Sequence, residues 1–180
     1  MGAGAGVAIP FHGDFDFTPF TWDTGVRVGL SEHVLVEVAG GESRHTRRRV
    51  ETNLVANGAT IGRFEQITTH AQRFAQVNVL ATGATGRLRV SGGGGVGLLQ
   101  FARRTETTTT DCSPGIMCGV SGSSTSRISG SVQAVGGVDV SLTTRVALYG
   151  QGRFLVPLTD PGGSDLRVTA GVRVGLSPAR

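Results

Sequence analysis

Residues 166–176 read LRVTAGVRVGL, and this stretch decides the fold class. Its even-numbered positions are Leu, Val, Ala, Val, Val and Leu, whereas its odd-numbered positions are Arg, Thr and Gly. Because successive side chains of a β-strand point to opposite faces, such a strand has one apolar face and one polar or bare face. At about 3.3 Å per residue, a tilted strand of this length can cross the apolar core of a bilayer.

The same alternation recurs along the whole chain. Seven further strands are predicted to begin near Gly2, Trp22, Val34, Gln72, Arg87, Ile128 and Val146. Long connections near residues 10–21, 44–62, 105–122 and 157–164 alternate with short turns near 31–33, 83–86 and 143–145. Transmembrane barrels combine this asymmetry with an even strand number. We therefore predict an all-β fold: a single domain over residues 1–180, forming an eight-stranded antiparallel up-and-down transmembrane β-barrel.

Two predicted hairpins give pairings that can be checked. If residues 30 and 34 pair across the first short turn, Arg27 faces Glu37 on the polar side. Across the GATG turn at 83–86, we expect Ala81 to face Leu88. In both hairpins the apolar and polar faces stay separate, as a defined register requires.

Composition excludes some classes of protein. The chain has 29 glycines and a net charge of +4, but no run of about 20 apolar residues for a transmembrane helix. Its arginines are mostly scattered singly, with the longest run at residues 47–49, so nucleic acid is not expected as a partner.

The two cysteines, Cys112 and Cys118, lie in a predicted loop rich in Thr, Ser and Gly. Their spacing predicts a local disulfide and therefore an oxidising compartment. No signal peptide is recognisable after Met1, and we expect the chain to be a mature or trimmed form.

The chain resembles the small eight-stranded outer-membrane β-barrels of Gram-negative bacteria, the OmpA-, OmpX- and OmpW-like group. The most specific match is the insertion signal of that family in the last strand, at Thr169, Gly171, Val174 and Leu176. The family usually ends on Phe, whereas Ser-Pro-Ala-Arg follows Leu176 here. The resemblance implies a cell outer-membrane location with both termini periplasmic. It also implies recognition by the barrel assembly machinery and a monomeric state.

An eight-stranded barrel is only wide enough for its own side chains, so the inward polar residues are expected to form one network. The predicted network comprises Arg27, Glu37, Arg89, Gln133, Asp139, Tyr149, Gln151, Arg153 and Arg173. Buried charges must be paired, and this requirement favours a polar plug. Arginine outnumbers carboxylate in this set, which leaves open a narrow channel that favours anions.

The loops supply the remaining candidates. Arg44, Arg47, Arg48 and Arg49 are placed to contact lipopolysaccharide phosphates, since arginine binds phosphate bidentately. None of the four histidines lies in a recognisable motif with a serine nucleophile, so we expect no enzyme, and no cofactor or metal.

The sequence thus predicts an outer-membrane barrel with a plugged lumen and a role in envelope integrity or surface interaction. One alternative is a barrel that passes small solutes. The other is a soluble lipocalin-like barrel, which would turn its apolar face inward around a ligand.

Overall fold

The computed structural model describes the backbone of residues 2–10, 20–56, 59–110, 118–159 and 164–175. Side chains are described for residues 20–50, 63–110, 118–159 and 164–175. The strands are β1 Gly2–Pro10, β2 Phe20–Gly29, β3 Val34–Ala56, β4 Ala59–Thr85, β5 Leu88–Thr110, β6 Gly119–Ser141, β7 Val146–Pro157 and β8 Asp165–Val174. In these described ranges, no helix has the length and apolar character needed to cross a membrane.

Each strand pairs antiparallel with the next one in the chain, so the predicted all-β, antiparallel up-and-down sheet is confirmed. β2 to β8 form seven consecutive strands of this sheet. The backbone of β1 lies between β2 and β8 and pairs with both, which closes the sheet into a barrel. On β1, Gly4 is in register with both Asp23 and Gly171, and Gly2 and Gly6 alternate with it along the strand.

The two faces of the sheet differ in polarity. Along β4, the residues Phe74, Gln76, Asn78 and Leu80 are buried inside the barrel, whereas the alternating Val79 is 57% exposed on the outside. β2, β3 and β5 to β8 follow the same rule where their side chains are described. Their exposed outer positions include Val26, Val28, Val38, Val90, Val96, Leu98, Val138, Val140, Leu148, Val168 and Val172.

The short turns test the predicted pairings. The pairing of Arg27 with Glu37 is confirmed. The predicted pairing of Ala81 with Leu88 is wrong, because β4 continues to Thr85, which pairs with Leu88 itself. A two-residue turn at 86–87 suffices here, since Gly86 adopts a positive φ of 59° at little steric cost. The register changes by an even number of residues, so every side chain keeps its predicted face.

Two of the predicted long loops, at 44–62 and 105–122, are largely strand. β3 and β4 pair as far as Ala56 and Ala59, and β5 pairs with β6 as far as Thr109 and Gly119. The first segment carries arginine on both faces and the second carries threonine on both faces, so neither shows the apolar alternation that marks a strand in the sequence. For the other two predicted loops, residues 11–19 and 160–163 lie outside the described part of the chain.

β3 to β6 therefore extend well past their neighbours. Among the described residues, the pairing of β2 with β3 reaches Phe20 and Arg44, and the pairing of β6 with β7 reaches Ser131 and Pro157. We call the extension the wing, comprising residues 45–56, 59–70, 103–110 and 119–130. It continues the barrel wall without a register shift until Glu51, so each wing residue can be assigned to the inner or the outer face.

Candidate functional site: a sealed lumen and a protruding wing

The lumen is organised around Glu37, which is only 2% exposed. Arg27 Nε donates to Glu37 Oε2 at 2.6 Å, and Asn78 Nδ2 donates to Oε1 at 3.0 Å. Arg153 Nη2 lies 2.8 Å from Oε1. Two guanidinium groups and one amide thus act as hydrogen-bond or ion-pair partners of the Glu37 carboxylate, which would be costly to bury without them.

A second carboxylate, Asp139, holds the short-turn side of the network. Arg27 Nη1 lies 3.1 Å from Asp139 Oδ2, and the Arg173 guanidinium pairs with the other oxygen. Arg173 also stacks over the Tyr149 ring at 3.9 Å from its centroid, and it donates to Gln151 Oε1 at 3.1 Å. These contacts link β2, β6, β7 and β8 across the barrel.

Asp23 belongs to the same network, although the sequence analysis did not include it. Tyr149 Oη donates to Asp23 Oδ1 at 2.8 Å, and Thr169 Oγ1 donates to Oδ2 at 2.9 Å. Arg153 Nε lies 3.5 Å from Oδ2. The signal was present in the sequence, because Asp23 is four residues from Arg27 and shares its strand face.

A further buried ion pair was also missed, because Asp165 was assigned to a loop. Arg167, which is 1% exposed, lies 3.1 Å from Asp165 through Nη2, and its guanidinium stacks over the Phe74 ring at 4.5 Å. The strand β8 begins at Asp165, so the two side chains share its inner face.

The charge of the described lumen is balanced, contrary to the predicted excess of arginine. Arg89, which was assigned to the network, is paired in register with Asp139, but its side chain is exposed at the short-turn end. With Arg89 outside, the buried ion pairs join Arg27, Arg153, Arg167 and Arg173 to Asp23, Glu37, Asp139 and Asp165. The remaining predicted members are inside: Gln133 donates to Asn78, and Tyr149 and Gln151 make the contacts given above.

Apolar side chains lie on both sides of this polar layer. Leu35, Leu80 and Val135 pack together near the short turns, whereas Ala39, Phe74, Leu99 and Leu155 pack together towards the wing. The inward glycines Gly93 and Gly95 leave little free space, since a Cβ at Gly93 would overlap the Val79 carbonyl and one at Gly95 would overlap Asn78 and the backbone of Val77. A cavity of about 30 Å³ beside Asp23 and Arg173 has room for one water molecule. The polar layer is therefore a packed plug.

The outer face of the wing and of the rim below it carries paired charges. Glu42 accepts from Arg44 at 3.0 Å and from Arg73 at 2.9 Å. Arg48 lies 2.7 Å from Glu65, and its guanidinium holds the pKa of that carboxyl below the usual range. The predicted phosphate-contacting arginines do not form one patch, because Arg44 and Arg48 face outward whereas the odd-numbered Arg47 and Arg49 face the other way.

The other predicted residues are placed as follows. Thr169 is buried against Asp23, Gly171 pairs with Tyr149, and Val174 is exposed on the outer face. Leu176 and Cys112 lie outside the described residues, so the insertion signal and the disulfide stay predictions. Within the described part of the chain, no cysteine is free and no group of three potential metal ligands is present.

No known protein-family profile and no curated protein matches the chain. Solved structures do match. Ail, the attachment invasion locus protein of Yersinia pestis, is 9% identical with a TM-score of 0.52 over 96% of this chain and 93% of Ail. Neisserial surface protein A is 15% identical with a TM-score of 0.45 over 96% of this chain and 92% of its own. The NanC porin is 8% identical with a TM-score of 0.32 over 98% and 100%. The likeness to Ail, a small outer-membrane β-barrel, concerns the fold alone.

Proposed function

We propose that the protein is an integral outer-membrane β-barrel of a Gram-negative cell, closed by eight transmembrane strands. Its lumen is sealed, and it acts in envelope integrity or surface interaction through the wing. The observation that carries the proposal is the polarity of the barrel wall: its outside is a belt of exposed valine and leucine, whereas its inside holds paired charges. A bilayer is the solvent that matches such an outside.

The same polarity argues against the two alternatives. A lipocalin-like barrel needs an apolar interior around its ligand, but here the interior is filled by Glu37, Asp139 and their arginine partners. A solute channel needs a continuous polar path, but apolar clusters lie on both sides of the polar layer. The anion-favouring channel was predicted from an excess of arginine in the lumen, and in the described lumen the buried arginines and carboxylates are equal in number.

In the proposed orientation, the short turns and both termini are periplasmic and the wing stands outside the cell. The barrel assembly machinery inserts the chain by its last strand, and the protein works as a monomer. Lipopolysaccharide phosphates lie near the outward arginines Arg44 and Arg48, whereas Arg47 and Arg49 face away from the lipid. The proposal includes no catalytic step, no cofactor and no nucleic-acid partner.

The test is to refold the protein into planar bilayers after checking insertion by heat-modifiable gel migration. We expect a folded, inserted protein without discrete conductance steps, because the plug leaves no water path. Stable single-channel steps would overturn the sealed lumen. A protein that stays monomeric and folded without detergent would overturn the membrane location.

A further inference from the structure

A cavity of about 450 Å³ lies at the base of the wing. Its lining includes His70 on β4, Phe101 and Arg103 on β5, and Thr125 and Arg127 on β6. These five residues share one face: His70 pairs with Arg103, Arg103 with Thr125, and Phe101 with Arg127. Ligand pockets typically enclose about 300–1,000 Å³, so this cavity is large enough for a sugar-sized molecule.

Charge is segregated between the two faces of the wing. On the outer face, Glu65 and Glu106 each pair with an arginine, Arg48 and Arg104 respectively. On the cavity face, no carboxylate is found among the described lining residues, which include two arginines and a histidine. Burial and the neighbouring Arg103 and His45 lower the pKa of His70. The two arginines of the lining give the cavity face its positive charge.

The floor of the cavity is apolar. Phe101 packs against the buried cluster of Ala39, Phe74, Leu99 and Leu155, which separates the cavity from the lumen. The Arg127 guanidinium lies over the Phe101 ring at 5.3 Å from its centroid. A ligand in this cavity therefore meets a cationic wall and an aromatic floor, and a hydroxyl donor is available at Thr125.

We infer that this cavity binds a phosphate or sulfate ester carried by a saccharide. Arginine guanidinium groups match the geometry of tetrahedral oxyanions, and the partly exposed Phe101 offers an apolar contact for the sugar beside Arg127. The ester belongs to a soluble saccharide or to the polysaccharide part of lipopolysaccharide, since the cavity is on the face opposite the lipid. The inference rests on the proposed outward orientation of the wing, and it names the ligand class of that surface.

The experiment titrates the refolded protein in non-ionic detergent with glucose 6-sulfate, with glucose and inorganic sulfate as comparators. We expect saturable binding of the ester, at least tenfold weaker binding of inorganic sulfate, and none of glucose. Arg103→Gln and Arg127→Gln are each expected to weaken the ester tenfold or more. Arg48→Gln is the matched control, because it removes the same charge from the outer face. Absence of ester binding, equal binding of inorganic sulfate, or an equal loss in Arg48→Gln would overturn the inference.

The pH dependence adds an independent readout. A sulfate ester keeps its charge between pH 5 and 8, whereas His70, with its lowered pKa, gains a proton only towards the acid end. Binding should therefore tighten as pH falls in the parent protein, and this dependence should be weaker in His70→Gln, which retains the neighbouring His45 on this face. A parent protein whose binding does not tighten would count against His70 as a ligand group.

Two further measurements distinguish the two sources of the ester and separate this inference from the proposed function. Repeating the titration in lipid nanodiscs with and without lipopolysaccharide shows competition if the ester comes from lipopolysaccharide, and unchanged affinity if it comes from a soluble saccharide. Heat-modifiable migration of every variant reports folding, and bilayer insertion tests the proposed function separately. A barrel that inserts, shows no conductance steps and does not bind glucose 6-sulfate would overturn this inference and leave the proposed function standing.

Discussion

Single residues in the lumen act through charge pairing. Glu37 has three nitrogen partners within 3.0 Å, and two of them are guanidinium groups. Such a group stabilises the fold only while its partners remain, since an unpaired buried carboxylate loses hydration without compensation. The loss of stability on removing one of these arginines is therefore mainly the cost of the buried carboxylate that is left unpaired.

Arg27→Ala should destabilise the barrel by about 3 kcal/mol, because it removes one partner from each of two buried carboxylates, Glu37 and Asp139. The measurement is the urea midpoint of the refolded protein. Arg44→Ala is the control: its pair with Glu42 is exposed, so the change should stay within about 1 kcal/mol. Equal midpoints for both variants would show that Arg153 and Arg173 alone hold the two carboxylates.

Gly95→Ala should destabilise by about 1–3 kcal/mol, because a Cβ there overlaps the Val77 carbonyl and the Asn78 side chain. Gly136→Ala is a suitable comparison, since a Cβ at this outward position meets nothing within 4 Å. Denaturant unfolding of both variants measures the difference. If Gly95→Ala were as stable as Gly136→Ala, the space beside Asn78 would not be needed for packing.

At the scale of the element, the four long strands are each composed of two parts. Along β4, the outer face is apolar from Ala75 to Ala81, whereas Glu65 and Arg73 on the same face are charged. The apolar outer surface of the first part is suited to contact with lipid hydrocarbon, whereas the charged outer surface of the second part is suited to contact with water. In the proposed membrane placement, the length of the apolar part, and not the length of the strand, sets the membrane span.

Val79→Arg should hinder insertion into lipid vesicles, at a cost of about 2–4 kcal/mol, because Val79 lies within the apolar part of β4 and is 57% exposed there. Val120→Arg tests the other part, since Val120 is 76% exposed on the wing and should tolerate the charge. The yield of heat-modifiable protein in vesicles compares them. Normal insertion of Val79→Arg would reverse the assignment of the lipid face.

At the scale of the whole molecule, the sealed barrel and the wing are expected to be separable. The lumen network lies within the barrel, and the four charged pairs on the wing and the rim below it lie outside the lumen. His45 pairs with His70 and Thr46 with Thr69, so a two-residue turn can replace residues 47–68 without changing the register.

This truncation should leave a folded barrel whose heat-modifiable migration and urea midpoint stay close to those of the parent. The residues it removes make no contact described for the lumen network, so the plug should remain intact. A truncated chain that fails to refold would show that the wing contributes to barrel folding. A β5–β6 hairpin shortened beyond the paired residues Arg104 and Ser124 can serve as the second version of the same test.

The sequence by itself determined the strand faces and the antiparallel up-and-down order. Alternation has a period of two and is local, so the assignment of Val172 outward and Thr169 inward needs no knowledge of the neighbours. The first short hairpin was predictable for the same reason. The wing was not, because strands with water on both faces carry no apolar alternation to mark them.

Only the tertiary structure decided which charges meet. The Tyr149 hydroxyl donates a hydrogen bond to Asp23, which is 126 residues away in the sequence, and Arg27 donates one to Asp139, which is 112 residues away. Such pairings depend on closure and on the stagger between strands, which the alternation of a single strand does not contain. The predicted excess of arginine is a balanced plug in the structure, because Arg89 is exposed and Asp23, Asp165 and Arg167 are buried.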